Sequence, residues 1–290
     1  MNVLVSGFGL IEGPVWHAEL GLLFADAGKG GAFLLNRKGV VSTVFEHRRG
    51  IGGMAWHEQG GLIVSGRNVA YKAPGAAATV VLLHKDPDHG LVGFNDLTTD
   101  AMGRIYVGAL GFVPTDTHLS GVGASQNGAP LFLIELDGTV RQVHPDIKIS
   151  NGMGFSADGC RLYHADSGDR TVYVYDVKPN GDLSHRRVFA NTPEGLPDGL
   201  ALAADGSVWV GIAHAGQVKI FASNGNLERQ IDFPTPMITS LCFGGEDMRD
   251  VFVTSGSDGS GRADAGTIFH LRSDVPGLPV TPARVELPAN

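Results

Sequence analysis

A sixfold repeat is the feature of this sequence that most restricts its fold. Each repeat joins an apolar anchor residue, a polar or turn-forming insert and a short strand-like run, and the repeats recur at intervals of about 40 to 57 residues, the period of propeller blades. The six segments are Trp16 to Asp26, Trp56 to Gly66, Thr99 to Gly108, Phe155 to Asp166, Leu202 to Gly211 and Phe243 to Gly256. The period therefore indicates the blades of a β-propeller.

Further strand-like runs follow each repeat segment. A third strand is predicted in AFLLN, TVVLLHKD, PLFLIELDG, TVYVYDV, GQVKIFASNG and GTIFHLRSD. Most of these runs lead to a glycine-containing turn, such as Asp137-Gly138 or Asn180-Gly181, which is typical of a hairpin into a fourth strand. Four strands repeated six times predict an all-β, six-bladed β-propeller in which residues 1–290 form a single domain. The terminal runs NVLVSG and ARVEL both resemble strands, so one is expected to complete a blade that the other begins.

Composition supports this class and excludes several kinds of partner. The chain has 42 Gly and 15 Pro, with 43% hydrophobic and 18% charged residues, as is typical of turn-rich globular β proteins. Its net charge of −8 is spread without a basic stripe, which argues against a nucleic acid or an anionic membrane as partner. The N-terminal run lacks the features of a signal peptide, and no segment offers the roughly 20 apolar residues that span a bilayer. The protein is therefore expected to be cytoplasmic, without a disulfide framework between Cys160 and Cys242.

The segment from Ile149 to Asp166 contains two competing motifs. Its GxGxxA pattern, which ends at Ala157, is also found in loops that bind dinucleotides. Such a loop must follow a strand and open a helix, because the helix N-terminus holds the pyrophosphate. Here a turn at Asp158-Gly159 leads into another strand-like run. The dinucleotide interpretation is therefore rejected, and Asn151 becomes the residue of interest.

Alignment of the repeats brings polar residues to one equivalent position. Four residues before the apolar anchors lie Glu12, Gly52, Asn95, Asn151, Asp198 and Thr239. The first strand of each blade lines the central channel, so residues at its start form a ring at one mouth. Each Asn or Asp alone is equally open to interpretation as a turn former before a strand. Together, two carboxylates and two amides converging on one axis indicate an oxygen shell for a divalent cation.

Several motifs carry a resemblance to a known family. EGPVW, FNDLTTDAMGRIYVGAL, SNGMGFSADGCRLYHAD, LPDGLALAADGSVWVG and TSLCFGG followed by VFVTSG resemble, in the same order, the SMP-30/regucalcin/gluconolactonase family over nearly the whole chain. The resemblance implies a six-bladed propeller that binds one divalent cation (calcium, zinc, manganese or magnesium) through Glu12, Asn151 and Asp198. It also implies a lactonase for a small-molecule lactone of a sugar acid, with Asn95 near the metal or substrate. Asp198 would then also act as general base or position the water.

One position departs from the family pattern. Sugar lactonases of this kind often carry an arginine two residues before the asparagine of FND, where this chain has Gly93. A substrate with fewer hydroxyl groups than gluconolactone is therefore expected. Two alternatives remain open, namely hydrolysis of aryl esters or organophosphates at the same site, and a propeller that binds metal without turnover. The sequence has no GxSxG elbow, no HExxH motif and no calcium loop with alternating acids.

Loops near the same mouth supply further candidates. Arg67, His89 and His118 could approach the ring, although each is also open to interpretation as a solvated loop residue. The segment from Gly111 to Pro130 has the length and composition of a lid. The glycine-rich segment from Ser255 to Gly266 is predicted to be a flexible connection within the last blade rather than an ion-binding loop.

Overall fold

The structure is a computed structural model that describes residues 1–112, 128–257 and 265–288. Within these ranges the chain forms six antiparallel sheets of four strands each. Blade 1 contains β2 (Ile11–His17), β3 (Gly21–Asp26), β4 (Ala32–Asn36) and β5 (Val41–Phe45). Blade 2 contains β6 (Met54–Trp56), β7 (Leu62–Val64), β8 (Asn68–Lys72) and β9 (Val80–His84). Blade 3 contains β10 (Gly93–Thr99), β11 (Ile105–Leu110), β12 (Ala129–Ile134) and β13 (Val140–Ile147). Blade 4 contains β14 (Ser150–Phe155), β15 (Arg161–Asp166), β16 (Thr171–Val177) and β17 (Leu183–Asn191). Blade 5 contains β18 (Leu196–Leu202), β19 (Val208–Ala213), β20 (Gln217–Phe221) and β21 (Leu227–Asp232). Blade 6 contains β22 (Ile238–Gly244), β23 (Asp250–Ser255), β24 (Gly266–Arg272) and β1 (Asn2–Phe8).

The predicted six-bladed propeller is confirmed, and the N-terminus closes it. Strand β1 pairs antiparallel with β24, so the first strand of the chain completes the blade that β22 begins near the other end. Because the circle of blades is closed, no blade lies at a free end of the array. The GxGxxA glycines Gly152 and Gly154 lie inside β14, as expected once the dinucleotide interpretation is rejected.

Blade 2 differs from the predicted strand assignment. Its third strand is β8, and the run TVVLLHKD, which was expected to be the third strand, instead forms the outer strand β9. Only residues 65–67 separate β7 from β8, so the short strand β8 was not distinguished from the repeat segment that ends at Gly66. The long turn after β8, which contains Pro74 and Gly75, was then mistaken for the turn before the third strand.

The C-terminal residues cross the far mouth of the channel, opposite the starts of the first strands. The ARVEL run forms no strand, which corrects that expectation, because its backbone bonds to turns of several blades instead of a sheet edge. The Leu278 N–H donates to the Leu202 carbonyl at 2.8 Å, and the Ala283 N–H donates to the Trp56 carbonyl at 2.7 Å. Ala283 and Val285 are fully buried there. The tail therefore ties blades 5 and 2 together across the axis.

Buried apolar side chains lie mainly between neighbouring sheets. One cluster joins Tyr163 and Val174 of blade 4 to Leu200 and Val210 of blade 5. This packing fixes each blade against the next and so sets the positions of the first strands around the channel. Within the described part of the chain, the helical segments are two single 3-10 turns, and none is long and apolar enough to cross a membrane.

Candidate functional site

The candidate ring residues lie at bulges in the first strands. In β10, β14 and β18, two residues face a single residue of the second strand, and these pairs are Asn95-Asp96, Asn151-Gly152 and Asp198-Gly199. In β2 the irregularity follows Glu12 directly. A bulge interrupts the ladder and redirects the side chains beside it. The polar side chains at the mouth where the first strands begin therefore need not alternate between the two faces of the sheet, as side chains of a regular strand do.

Three carboxylates interact at this ring, from blades 1, 3 and 5. Burial raises the pKa of Glu12 well above its ordinary value, and the charges of Asp198 and Asp96 raise it further. Burial also raises the pKa of Asp198, with a further contribution from Asp96. The pKa of Asp96 is raised by burial to about 7. Burial and mutual repulsion of this kind favour bound protons or a nearby cation at neutral pH.

Asn151 connects these carboxylates to the neighbouring turn. Its side chain hydrogen-bonds to the Asp198 carboxylate, which, with the Gly199 N–H, opposes the rise in the pKa of Asp198. Its Nδ2 also donates to Ser167 Oγ at 3.1 Å. Ser167 Oγ in turn donates to the Pro197 carbonyl at 2.7 Å. Because the amide hydrogens of Asn151 are used in this way, its Oδ1 is the atom left to receive a donor or a cation.

Asn95 is held by blade 4 and accommodated by blade 2. Its Nδ2 donates to the Ser150 carbonyl at 2.8 Å. A Cβ at Gly52 would overlap Asn95 Oδ1, and a Cβ at Gly53 would overlap Asp96 Oδ1. Blade 2 therefore contributes no side chain at its ring position, because side chains of blade 3 occupy that space.

Thr239, at the ring position of blade 6, joins the last blade to the first. Its Oγ1 donates to the Ile11 carbonyl at 2.5 Å and lies 2.9 Å from Thr254 Oγ1. Thr239 and Thr254 are both fully buried. Thr239 thus fixes the residue that precedes Glu12 and positions the strand that carries this carboxylate.

Asp96 is a further candidate residue of the ring, which comparison of the repeats did not identify. In a regular strand, adjacent side chains point to opposite faces, so only one residue of the Asn95-Asp96 pair was expected at the ring. The bulge between Phe94 and Leu97 removes this alternation. The sequence did show that the acidic residue Asp96 directly follows Asn95 near the start of a first strand. Bulges recur at this point in several blades.

A serine-histidine pair lies beside the ring but is sealed from solvent. Ser150 Oγ lies 2.8 Å from His164 Nε2, and both residues are 0% exposed. Burial, with the charges of His144 and Arg186, lowers the pKa of His164 to about 3. In the described part of the chain, His164 Nδ1 has no hydrogen-bond partner, so the acid of a catalytic triad is missing. The pair supports β14 and is not a nucleophile with its base.

The loop candidates differ in their surroundings. Arg67 is exposed in the turn between β7 and β8, at the mouth that carries the ring. His89 lies in a 3-10 turn, with its Nδ1 2.7 Å from Asp86 Oδ2. Outside the described residues lie His118, most of the segment from Gly111 to Pro130 and the middle of the segment from Ser255 to Gly266.

A cavity of about 910 Å³ occupies the channel on the far side of the ring. Its lining includes Trp16, Trp56 and Phe243, and the C-terminal residues 278–282 close it. Asp96 reaches this lining, whereas the other candidate ring side chains do not. The candidate site therefore faces the opposite mouth, at the starts of the first strands.

The donor chemistry of the ring fits a divalent cation. The described residues contain no group of three or more His, Cys, Asp or Glu side chains arranged to hold a metal ion. The ring instead combines the carboxylates of Glu12 and Asp198 with the amide oxygen of Asn151. Such oxygen donors suit hard cations, and a cation would offset the repulsion between the half-buried carboxylate of Glu12 and the buried carboxylate of Asp198.

Comparison with known proteins identifies the family. Residues 10–257, which include all the candidate ring residues, match the family model described as the SMP-30/Gluconolactonase/LRE-like region. The chain belongs to this family. The family resemblance inferred from the motifs is thereby confirmed.

This SMP-30/gluconolactonase-family chain has relatives along almost its whole length. It is 31% identical over 296 residues to the pentonolactonase of Haloferax volcanii, with 96% of each chain covered. It is 30% identical over 280 residues to the 6-deoxy-6-sulfogluconolactonase of Pseudomonas putida, with 92% of each covered. Its fold resembles that of the calcium-binding protein regucalcin from Agrobacterium tumefaciens, with a TM-score of 0.82, 21% identity, and 97% of this chain and 96% of that chain covered.

Proposed function

We propose that this protein is a metal-dependent lactonase that opens the cyclic ester of a sugar acid or a related small molecule. The observation that carries the proposal is the convergence of Glu12, Asp96 and Asp198 with the amide of Asn151 at the bulged strand starts. Relatives named as a pentonolactonase and a 6-deoxy-6-sulfogluconolactonase support a lactone as the substrate. A solved structure described as a calcium-binding protein supports a divalent cation.

Glu12, Asn151 and Asp198 would hold the cation. When bound, a divalent cation supplies polarisation of the ester carbonyl and lowers the pKa of a water molecule. The two carboxylates balance its charge, and the hydrogen bonds from Asn151 to Asp198 and Ser167 keep the amide in place.

Asp198 would also accept a proton from the attacking water. The water oxygen bonds to the carbonyl carbon, the ring C–O bond breaks, and the departing ring oxygen takes up a proton. The product is an open-chain hydroxy acid, whose carboxyl group releases a proton at neutral pH. A positioned general base contributes roughly 10² to 10⁴ in rate.

Asn95 would bind the substrate beside the carboxylates. Because its Nδ2 is committed to the Ser150 carbonyl, its Oδ1 is the atom that can accept a hydrogen bond from a substrate hydroxyl. The glycine at position 52 leaves this oxygen the space that it occupies.

Acid release measured with a pH indicator tests the proposed function. The purified protein, stripped of metal with a chelator, is mixed separately with calcium, magnesium, manganese and zinc, and with sugar and non-sugar lactones, an aryl ester and an organophosphate. We expect cation-dependent acid release from at least one lactone. Absence of acid release from every lactone with every cation would contradict the proposal. Turnover of the aryl ester or the organophosphate alone would then indicate the alternative hydrolase.

A further inference from the structure

We infer that Arg67 and Arg48 form a binding subsite for an anionic group of the substrate at the channel mouth. The inference rests on the proposed lactonase function and narrows the substrate to lactones that carry an oxyanion, such as phosphate, sulfonate or carboxylate, away from the ester.

The turn that carries Arg67 is bonded directly to the first strand of blade 3. Gly66 N–H donates to the Phe94 carbonyl at 3.2 Å, and Phe94 N–H donates to the Gly66 carbonyl at 2.7 Å. Among the described residues, only the Gly66 carbonyl group comes within 4 Å of a Cβ built at Gly93. Arg67 therefore follows a residue that is bridged to the residue before Asn95.

Arg48 holds the same turn through hydrogen bonds to residues before and after Arg67. Its Nη2 donates to the Ser65 carbonyl at 2.9 Å, to the Asn68 carbonyl at 2.7 Å and to Asn68 Oδ1 at 2.8 Å. Residues on both sides of Arg67 are thus held by hydrogen bonds. A backbone held in this way presents the Arg67 side chain from a fixed position, which favours recognition over a loosely tethered charge.

Neither guanidinium has a carboxylate partner among the described residues. Arg48 is buried, and within the described ranges it bonds only to carbonyl and amide oxygens and has an unpartnered Nε. Arg67 is exposed and makes no hydrogen bond or ion pair within the described ranges. Burial and the nearby charge of Arg67 together lower the pKa of Arg48 to about 10. Two neighbouring positive charges that lack a carboxylate partner in the described part of the chain attract an anion, and guanidinium groups bind oxyanions with charge-assisted hydrogen bonds.

Several other arginines in this protein are paired with carboxylates. Carboxylate partners are present in the pairs Arg104–Asp100, Arg141–Glu135, Arg187–Asp176 and Arg272–Asp247. The ring contributes carboxylates of its own, which repel an anionic substrate. Arg67 and Arg48 place positive charge on the blade 2 side of Asn95, where an anionic substituent can lie away from that repulsion.

Kinetics with two lactones that differ only in a phosphate group test the subsite. The probes are glucono-δ-lactone and 6-phosphoglucono-δ-lactone, compared in wild type, Arg67→Ala and Arg49→Ala. We expect wild type to favour the phosphorylated lactone in kcat/KM, and Arg67→Ala to reduce this preference about tenfold or more, mainly through KM, as expected for loss of a charged hydrogen-bond partner. An unchanged preference in Arg67→Ala would overturn the subsite.

Arg49→Ala is the matched control for this experiment. Arg49 is exposed on the same face, and its Cγ lies 3.1 Å from a Cβ built at Gly30 of blade 1. Its removal takes away the same charge without altering the turn at Arg67. We expect the preference for the phosphorylated lactone to persist. An equal loss in both variants would show a general field effect and would overturn a specific subsite.

Binding measurements separate this inference from the proposed function. Calorimetric titration with 6-phosphogluconate and with gluconate needs no turnover. We expect wild type to bind the phosphorylated acid about tenfold more tightly, and Arg67→Ala to lose this difference. No binding of either acid, or a difference that survives in Arg67→Ala, would overturn the subsite. Loss of the difference in a protein that hydrolyses no lactone would retain the subsite and contradict the lactonase proposal.

Discussion

The Nδ2 of Asn95 donates to the carbonyl of Ser150 at 2.8 Å. This bond connects the amide of blade 3 that is proposed to bind the substrate to the strand of blade 4 that carries Asn151. The Oγ1 of Thr239 bonds blade 6 to blade 1 in the same manner, through the Ile11 carbonyl. The geometry of the ring therefore depends on contacts between blades. Such a ring is complete only when the propeller is closed, and it is then held by rigid strands.

Substitution of Gly52 tests this interlocking. A Cβ at Gly52 would overlap Asn95 Oδ1, so Gly52→Ala should displace the amide. We expect kcat/KM to fall by about tenfold to a hundredfold and the free energy of unfolding to fall by about 1 to 3 kcal/mol through overpacking. Steady-state kinetics and urea unfolding measure the two effects.

Two further variants control for the glycine substitution itself. At Gly28 an added Cβ meets its nearest atom at 3.6 Å, so Gly28→Ala should leave both activity and stability nearly unchanged. Removal of the Asn95 side chain relieves part of the overlap, so Asn95→Ala should partly restore the stability of Gly52→Ala. Full additivity of the two stability losses would show that the residues do not interact as described.

The architecture was predictable because every blade repeats the same alternation of apolar and turn residues. The prediction was wrong at the third strand of blade 2, since β8 is short and follows β7 after only three residues. It was also wrong for the ARVEL run, because a C-terminal strand and a buried tail have the same apolar pattern. Burial of Ala283 and Val285 against turns of other blades depends on tertiary packing that the local sequence does not record.

The candidate ring was predictable in position but not in contacts. Glu12, Asn151 and Asp198 emerged from the repeat alignment because the bulges occur near the same point in the first strands. Asp96 was missed because strand alternation gave no reason to expect two neighbouring side chains at the ring. The hydrogen bond between Asn151 and Asp198 joins two blades, and its existence depends on how closely the first strands approach.

The C-terminal tail should contribute measurably to stability. Val285 is 1% exposed and packs in the cluster between blades 2 and 3. Val285→Ala removes two buried methyl groups and should lower the free energy of unfolding by about 1 to 3 kcal/mol. The control is Val280→Ala in the same tail, which is 57% exposed and should change stability by less than about 0.5 kcal/mol. Equal effects in urea unfolding would contradict the packing of the tail.

Substrate preference should reflect the missing side chain at Gly93. Without a guanidinium at that position, gluconolactone should be at most a modest substrate, and another lactone should have a higher kcat/KM. A panel of neutral and anionic, hydroxylated and plain lactones measures this ranking. The prediction is contradicted when gluconolactone has the highest kcat/KM of a broad panel.

The stability of the cation-free protein should decrease as pH rises. The folded-state pKa of Glu12, Asp198 and Asp96 is raised, so the folded protein holds more protons than the unfolded chain. Their contribution to stability is full below the ordinary carboxyl pKa and is lost as pH rises through the raised values, which for Asp96 is about 7.

A bound cation should reverse this trend. It replaces the protons on the carboxylates, so the increase in Tm on adding a divalent cation should be larger at about pH 8 than at about pH 5. Thermal unfolding with and without chelator measures this difference, and Glu12→Gln should reduce it. A cation effect that is independent of pH would contradict binding at these carboxylates.

Two substitutions should separate holding a cation from accepting a proton. Asp198→Asn keeps an oxygen that can contact a cation but removes a charge and a proton acceptor. Cation affinity should then fall moderately, while kcat falls by about 10² to 10⁴ even at saturating cation. Asn151→Ala removes an oxygen donor and the hydrogen bond to Asp198, but no base.

Titration of activity with the cation distinguishes the two roles. Excess cation should restore much of the activity of Asn151→Ala, because its defect lies mainly in occupancy, and little of the activity of Asp198→Asn, because a missing proton acceptor is not supplied by mass action. Calorimetric titration with the same cation gives the affinities independently of turnover. If saturating cation returns Asp198→Asn to nearly wild-type kcat, Asp198 is a ligand only. The proton acceptor must then be sought among the other carboxylates of the ring, and Asp96 is the first to examine because its carboxylate interacts with both Glu12 and Asp198.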